Sequence, residues 1–303
     1  MKRALRIIVV VLCLVVVVIL LLLVSHRFLY SSPSDDVSHR LMVVTYNTHQ
    51  MGGGKKTEKN EVIRYLREVD ADVLCLQEVE VSKNSKWLTL PELRQALSRY
   101  SYTYFDFKVY NHRRQYGNVV FSRYPLVNKH TIRYPSRGNI SSCCDVIVKG
   151  DTLRLITNHL ESYRLTGSDM DSLWKHPFEQ DTVLRGRMRL SNRTRLQQAR
   201  IVRDTVCASP YPVLVVGDFN AIPLSTTYLT LRGLMPSGWF RGCGLRDAFL
   251  ASSNGRLGNT LYKRGRGIRI DYILHSPCLY ATECYVDQTT GSDHLPVVAT
   301  FNW

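Results

Sequence analysis

The stretch VLVVGDFNAIP, residues 213–223, decides how this chain is read. Val213 to Val216 are apolar and mostly β-branched, the composition of a strand buried on both faces. Gly217, Asp218, Phe219 and Asn220 follow, with Pro223 close behind. Gly, Asp, Asn and Pro are ordinary turn residues, so a plain turn is one reading. Chemistry is the other, because α/β folds set functional groups at the ends of their strands. The stretch alone leaves both open.

The same placement recurs along the chain. LMVVTYN (41–47) runs into Asn47, VLCLQEV ends at Glu78, and LRLITNHL (153–160) ends near His159. Asp271 sits within RIDYILH (269–275), and Asp293-His294 opens the final apolar run, 294–303. Burying such groups singly would cost several kcal/mol each unless they were paired or metal-bound. Turns explain any one of them but not the whole set. The carboxylates of Glu78, Asp218 and Asp293 and the amides of Asn47 and Asn220 are oxygen donors suited to a hard cation such as Mg²⁺. Zinc is less well matched, since neither HExxH nor CxxC occurs.

Composition sets the wider limits. The 303 residues are 45% hydrophobic and carry a net charge of +15, enough apolar surface for a core and a bias toward anionic partners. Lys2, Arg3 and Arg6 precede an uncharged run of 18 residues, Ile7 to Val24, close to the minimum length for crossing a bilayer. No small-residue cleavage site follows at Val24-Ser25-His26-Arg27, so the expectation is an uncleaved anchor over residues 1–30. The heavier basic flank on its N-terminal side predicts a single-pass protein whose domain lies outside the cytoplasm. Lys2, Arg3, Arg6 and Arg27 are the only charges in residues 1–30, so the remainder still carries +11. Eight cysteines are present; Cys75, in an apolar stretch, reads as a buried small hydrophobe, and an exported domain permits disulfides.

Residues 31–39 form a polar linker, and 40–303 read as one domain without an internal repeat. MGGGKK after Asn47 reads as a flexible loop, while 58–68 and 191–206 have helical spacing. Between them and the strands, YGNVVFSRYPL (116–126) reads as strand and turn. The connection 162–190 contains the basic residues Arg185, Arg187 and Arg189, readable as a solvated face or a substrate contact.

TYN (45–47), LQE (76–78), YGNVVFSRYPL, TNHL (157–160), GDFN (217–220), RIDYIL (269–274) and GSDHLPV (291–297) together resemble the endonuclease/exonuclease/phosphatase superfamily, in family order. That superfamily includes pancreatic-type deoxyribonucleases, abasic-site endonucleases, neutral sphingomyelinases and inositol-phosphate phosphatases. The resemblance implies an α/β, four-layer sandwich of two packed mixed β-sheets flanked by helices. It also implies metal-dependent phosphoester hydrolysis. Glu78 would be the main Mg²⁺ ligand, with Mn²⁺ a possible substitute, assisted by Asn47 and Asp293. Asp218 and Asn220 would position the attacking water and a phosphate oxygen. His294, oriented by Asp271, would face phosphorus, and His159 would contact another phosphate oxygen. On an extended chain, Asp218 and Asn220 would point the same way.

His159 stands where abasic-site nucleases carry Tyr, which argues against that subgroup. No sphingomyelinase membrane-binding hairpin is identifiable. The leading expectation is a membrane-anchored phosphodiesterase or nuclease acting on a phosphate-containing substrate, nucleic acid or phospholipid headgroup. A phosphatase or phospholipase acting on phosphoinositide or sphingolipid headgroups is the alternative. A catalytically inactive basic binding module would have lost at least one key group, and all eight are present. Nothing in the sequence implies an obligate protein partner.

Overall fold

Apolar runs without alternation build two sheets that are covered on both faces. The computed structural model describes residues 39–110, 113–134, 136, 138–164, 169, 182–235, 243–252, 258–263 and 265–303. The anchor expected over 1–30, its apolar run 7–24, and nearly all of the linker lie outside the described residues. Among the described residues, no helix is long and apolar enough to cross a membrane.

The first sheet contains, in spatial order, β13 (Tyr280–Val286), β14 (Val297–Asn302), β1 (Arg40–Asn47), β2 (Val73–Ser82), β4 (Arg114–Ser122) and β3 (Tyr102–Tyr110). The second contains β5 (Leu126–Ile132), β6 (Ile140–Val148), β7 (Asp151–His159), β8 (Val213–Asp218), β12 (Asp271–His275) and β9 (Arg246–Asp247). A small hairpin joins β10 (Leu261–Lys263) to β11 (Arg266–Ile268). Each large sheet has a parallel pair at its heart, β1 with β2 and β7 with β8, among antiparallel neighbours.

Three apolar layers hold this together. Val43, Val73, Leu155, Val216, Ile273 and Phe301 pack between the sheets. Val44, Leu74 and Leu76 face outward instead, against Ile63 and Leu66 of α1 (Glu61–Glu68) and Leu93 of α2 (Leu90–Ala96). Ile156 and Val215 do the same against Ala199 and Val202 of α3 (Thr182–Cys207) and Leu231 of α4 (Thr226–Arg232). Helices, sheet, sheet and helices therefore make four layers, as expected. Burial on both faces is the reason the strands read as continuous apolar runs.

Several boundaries differ from the sequence expectation. Helix α1 starts at Glu61 rather than 58, because Asn60 caps it by accepting from the Ile63 amide at 3.1 Å. Residues His49–Gly54 are a left-handed turn, not a loose loop, with φ of 59° at Gln50, 55° at Met51, 65° at Gly52 and 76° at Gly53. Consecutive glycines make that conformation accessible, and buried Met51 fastens it to the core. Helix α3 begins at Thr182 rather than 191, so Arg185, Arg187 and Arg189 are helical. The last strand starts at Val297, which leaves Asp293 and His294 in the preceding loop. Cys207, ending α3, forms a disulfide with Cys243. Cys75 is buried, as expected, and burial pushes its thiol up to about 12.

Candidate active site

The carboxyl ends of the two parallel pairs meet at one edge of the sandwich. In the first sheet Asn47 lies opposite Gln77, the residue before Glu78; in the second His159 lies opposite Asp218. Asn47 Nδ2 bridges the sheets, donating to Asp218 Oδ2 at 3.0 Å and to Glu78 Oε1 at 3.3 Å. His159 Nε2 lies 3.4 Å from Glu78 Oε1 and 4.0 Å from Asp218 Oδ2. Strand β12 runs antiparallel to β8 and sets Asp271 opposite Asp218. Asp271 Oδ2 is 2.9 Å from His294 Nδ1, and His294 Nε2 is 3.9 Å from Asp218 Oδ2. Asp293 Oδ1 is 3.1 Å from His49 Nδ1, and the His49 amide donates to Asn47 Oδ1. The structure thus gathers all eight residues read from the sequence.

Two backbone distortions aim these groups. Strand β2 does not stop at Glu78, as the sequence had implied; it continues to Ser82 through a register slip between Leu76 and Val79. Glu78 sits at that bulge with φ of 54°, while Gln77 is tied inward to Thr45 and the Cys75 carbonyl. A non-glycine residue there costs about 1–3 kcal/mol, a strain typical of functional positions. At the end of β8, Gly217 has φ of 123°, and an added Cβ would lie 2.1 Å from the Asn158 carbonyl oxygen. Only glycine fits. Asn220, with φ of 49°, then curls back. Its amide donates to Asp218 Oδ1 at 2.7 Å, and its Nδ2 reaches Asp218 Oδ2 and the Leu160 carbonyl. The expectation of two side chains projecting together from an extended chain is therefore wrong. A turn clamps Asn220 onto Asp218, so VLVVGDFN is both turn and site.

Electrostatics separates the groups by task. Burial opposes a charge on His294, but the adjacent Asp271 carboxylate, with Asp218 and Asp293, overcomes this and raises it to about 10. Burial raises Asp271 to about 6 against the pull of His294, so the proton of the pair resides on the imidazole. The hydrogen bond to Asp293 raises His49. Asp218, Asp271 and His294 bring ligand atoms within 4.8 Å of one another. Asp271 Oδ2 is already taken by His294 and by Thr260 at 2.6 Å, so this trio is a hydrogen-bonded unit rather than a cation cage. The donors that suit a hard cation are the carboxylates of Glu78 and Asp293, whose side chains are 22% and 31% exposed. Asn47 lies beside Glu78 and presently turns its amide nitrogen toward it.

Sequence reasoning missed three contributors. Tyr116 is held neutral by burial and by the nearby Glu78 and Asp218 charges. Its position inside YGNVVFSRYPL was the available signal. His49 follows Asn47 by two residues, and that proximity was its only signal. Thr260, which fixes Asp271 and the backbone amides of Ile270 and Asp271, had no sequence signal.

The sequence profile described as the Endonuclease/Exonuclease/phosphatase family matches residues 44–294. The chain belongs to this family. Among solved structures, an endonuclease/exonuclease/phosphatase from Beutenbergia cavernae is 21% identical with a TM-score of 0.63, over 87% of this chain and 71% of that one. A truncated Caenorhabditis elegans TDP2 is 16% identical with a TM-score of 0.59, over 89% of this chain and 100% of that one. An endonuclease/exonuclease/phosphatase from Bacteroides vulgatus is 15% identical with a TM-score of 0.60, covering 87% and 99%. At such identities these likenesses establish the fold shared across the family. No curated protein matches the sequence.

Proposed function

We propose that this family member is a phosphodiesterase, of the nuclease type, that depends on a divalent cation. The observation that carries the reading is the pairing of two walls around Asp218: the oxygen-bearing wall of Glu78, Asn47 and Asp293, and the Asp271–His294 pair. A phosphodiester anion repels a nucleophile, so hydrolysis needs its oxygens neutralised and a water deprotonated. Asp218 accepts the proton of the attacking water, with Asn220 fixing its orientation. His294, charged and held by Asp271, presents Nε2 to the phosphate, and His159 contacts a second oxygen. Mg²⁺ or Mn²⁺ held by Glu78, with Asn47 and Asp293 assisting, would supply further neutralisation of a phosphate oxygen.

The apolar run 7–24 supports tethering of the domain to a membrane on its extracytoplasmic side. That tether favours a second reading, in which the substrate is a phosphoinositide or sphingolipid headgroup. Incubating the full-length protein with plasmid DNA, RNA, sphingomyelin and inositol phosphates, with Mg²⁺, Mn²⁺ or EDTA, separates these. Cation-dependent cleavage of a nucleic acid is the expected result. Turnover that persists in EDTA refutes the metal assignment, and selective lipid cleavage moves the protein to the second reading. Fractionation of cells with protease treatment of the intact surface tests the anchor.

A further inference from the structure

Asn220 belongs to two environments. One is the site described above; the other is the wall of a cavity of about 550 Å³. The volume suits a small-molecule-sized group. Met188, Leu261, Ile268 and Ile270 give it apolar sides, and its charged lining comprises Arg164, Arg195 and Arg266, with no carboxylate among the described residues. Sharing Asn220, the cavity adjoins the site.

Arg195 is the unusual member. It is 1% exposed. Its Nε donates to the Glu161 carbonyl at 2.6 Å, its Nη1 to Asn192 Oδ1 at 3.1 Å, and its guanidinium lies 4.3 Å from the centre of the Tyr163 ring. Nη2 is buried without a hydrogen-bond partner, and Arg195 makes no ion pair with the described residues. A buried guanidinium is normally matched by a carboxylate, because an unmatched charge away from water is costly. Here the anchoring bonds use neutral acceptors, and among the described residues no carboxylate pairs with the guanidinium beside this ligand-sized space.

We infer that this cavity is a specificity subsite for a phosphoester whose non-reacting side carries an apolar or aromatic body and a second anionic group, received by Arg195. The inference rests on the phosphoesterase reading above and narrows it. The apolar walls suit a flat or greasy body better than a polyhydroxylated ring. Arg164 is already paired with Glu161 at 3.1 Å, so it is the Arg195 guanidinium that disfavours a cationic headgroup such as phosphocholine and favours a second phosphate or carboxylate.

The test is binding, which does not depend on turnover. The full-length protein is titrated with thymidine 3′,5′-bisphosphate, thymidine 5′-monophosphate and phosphocholine. The bisphosphate should bind about ten- to a hundredfold more tightly than the monophosphate, the gain expected from one charge-assisted hydrogen bond. Arg195→Gln should abolish that ratio. Since Arg195 is buried and its variant can fail to fold, Thr226→Glu provides a second route. Thr226 is exposed in the first turn of α4, where an acid is compatible with the helix, and it lines the cavity. The new carboxylate should weaken the bisphosphate selectively. Equal affinities for the two nucleotides in the unaltered protein, or a ratio that survives both substitutions, overturn the inference. Failure to hydrolyse bis(4-nitrophenyl) phosphate counts instead against the proposed function, leaving the binding ratio to stand or fall separately.

Discussion

Asp247 and Asp271 are buried carboxylates on neighbouring strands of one sheet, each set against a cation. Asp247 is closed on every side. Its Oδ2 accepts from Arg269 Nη2 at 2.8 Å and from the Tyr228 hydroxyl at 2.7 Å, while Oδ1 accepts from the Phe249 amide and from Arg269 Nη1. Arg269 is further enclosed by the rings of Phe249 and Tyr272. Asp271 is open at one end. Its Oδ2 is engaged by Thr260 and His294, but its Oδ1 is buried without a partner, and His294 Nε2 is left facing the Asp218 carboxylate. A saturated network contributes rigidity, whereas one that stops short of saturation keeps a group available for a substrate. The two pairs lie only two residues apart along the chain, at Arg269 and Asp271, so a single extended stretch serves structure and chemistry.

The largest expected effect comes from breaking the open pair. His294→Ala should lower kcat for bis(4-nitrophenyl) phosphate by about a thousandfold or more, measured at a temperature where the variant remains folded. Asp271→Asn should be milder, since the ring stays in place with the wrong partner. Adding it to His294→Ala should cost little further activity, because groups acting as a unit cannot be lost twice. Multiplicative losses in the double variant would refute the pairing in function, whatever the hydrogen bond shows.

Glu78→Gln comes next. It removes the only acid at the β2 bulge and should reduce turnover by about a hundredfold or more in saturating Mg²⁺. Because the wild-type backbone is strained at this position, folding should survive. Normal turnover by a well-folded Glu78→Gln protein removes Glu78 from the reaction.

The closed pair should answer in the opposite currency. Arg269→Met leaves Asp247 buried without its cation, a loss of about 3–5 kcal/mol, or about 10 °C in Tm for a domain of this size. Turnover at 25 °C should hold while the protein remains folded. A variant that keeps its Tm but loses turnover would erase the distinction between the two pairs.

This contrast also marks what the sequence made legible. The sheet layers and the eight polar residues that meet at one edge were readable, because burial on both faces leaves unbroken apolar runs and each polar residue interrupts one. Glu78 was read as a strand end, but the strand continues past it through a bulge, since a slip in register depends on the partner strand. Asp218 and Asn220 were paired for the wrong reason, because the left-handed turn at Asn220 is held by the Leu160 carbonyl, just past the end of β7. Arg195 lies within the helix read over 191–206, but nothing in the spacing shows that an arginine there is buried. The preceding turns carry Arg185, Arg187 and Arg189 with Val183 and Leu190 exposed, so no apolar stripe announced that the helix begins at Thr182. Arg269 and Asp247 were silent too, because no spacing reports a salt bridge across 22 residues.

His275, at the far end of β12 from Asp271, sharpens the comparison with the smallest expected effect. It is wholly buried, its Nδ1 lies 3.0 Å from the Ser276 carbonyl, its ring stands against Phe301, and its Nε2 has no hydrogen-bond partner. Burial lowers its pKa to about 4; Arg246 lowers it further, while Asp247 and the neighbouring backbone carbonyls oppose the shift. Between pH 4 and 6.5 the unfolded chain therefore binds a proton that the folded chain refuses, so this residue subtracts stability as pH falls through that window. From pH 7.5 to pH 5 the loss should be about 2 kcal/mol. Replacing the imidazole by a non-titrating amide, His275→Gln, should remove that component while leaving those from Asp271 and His294 in place. Urea unfolding of both proteins at the two pH values measures it as a difference of differences. A wild-type protein that loses no more stability than His275→Gln would mean that the ring takes up its proton inside the fold, and that the sealed end of β12 is as open as the end that holds Asp271.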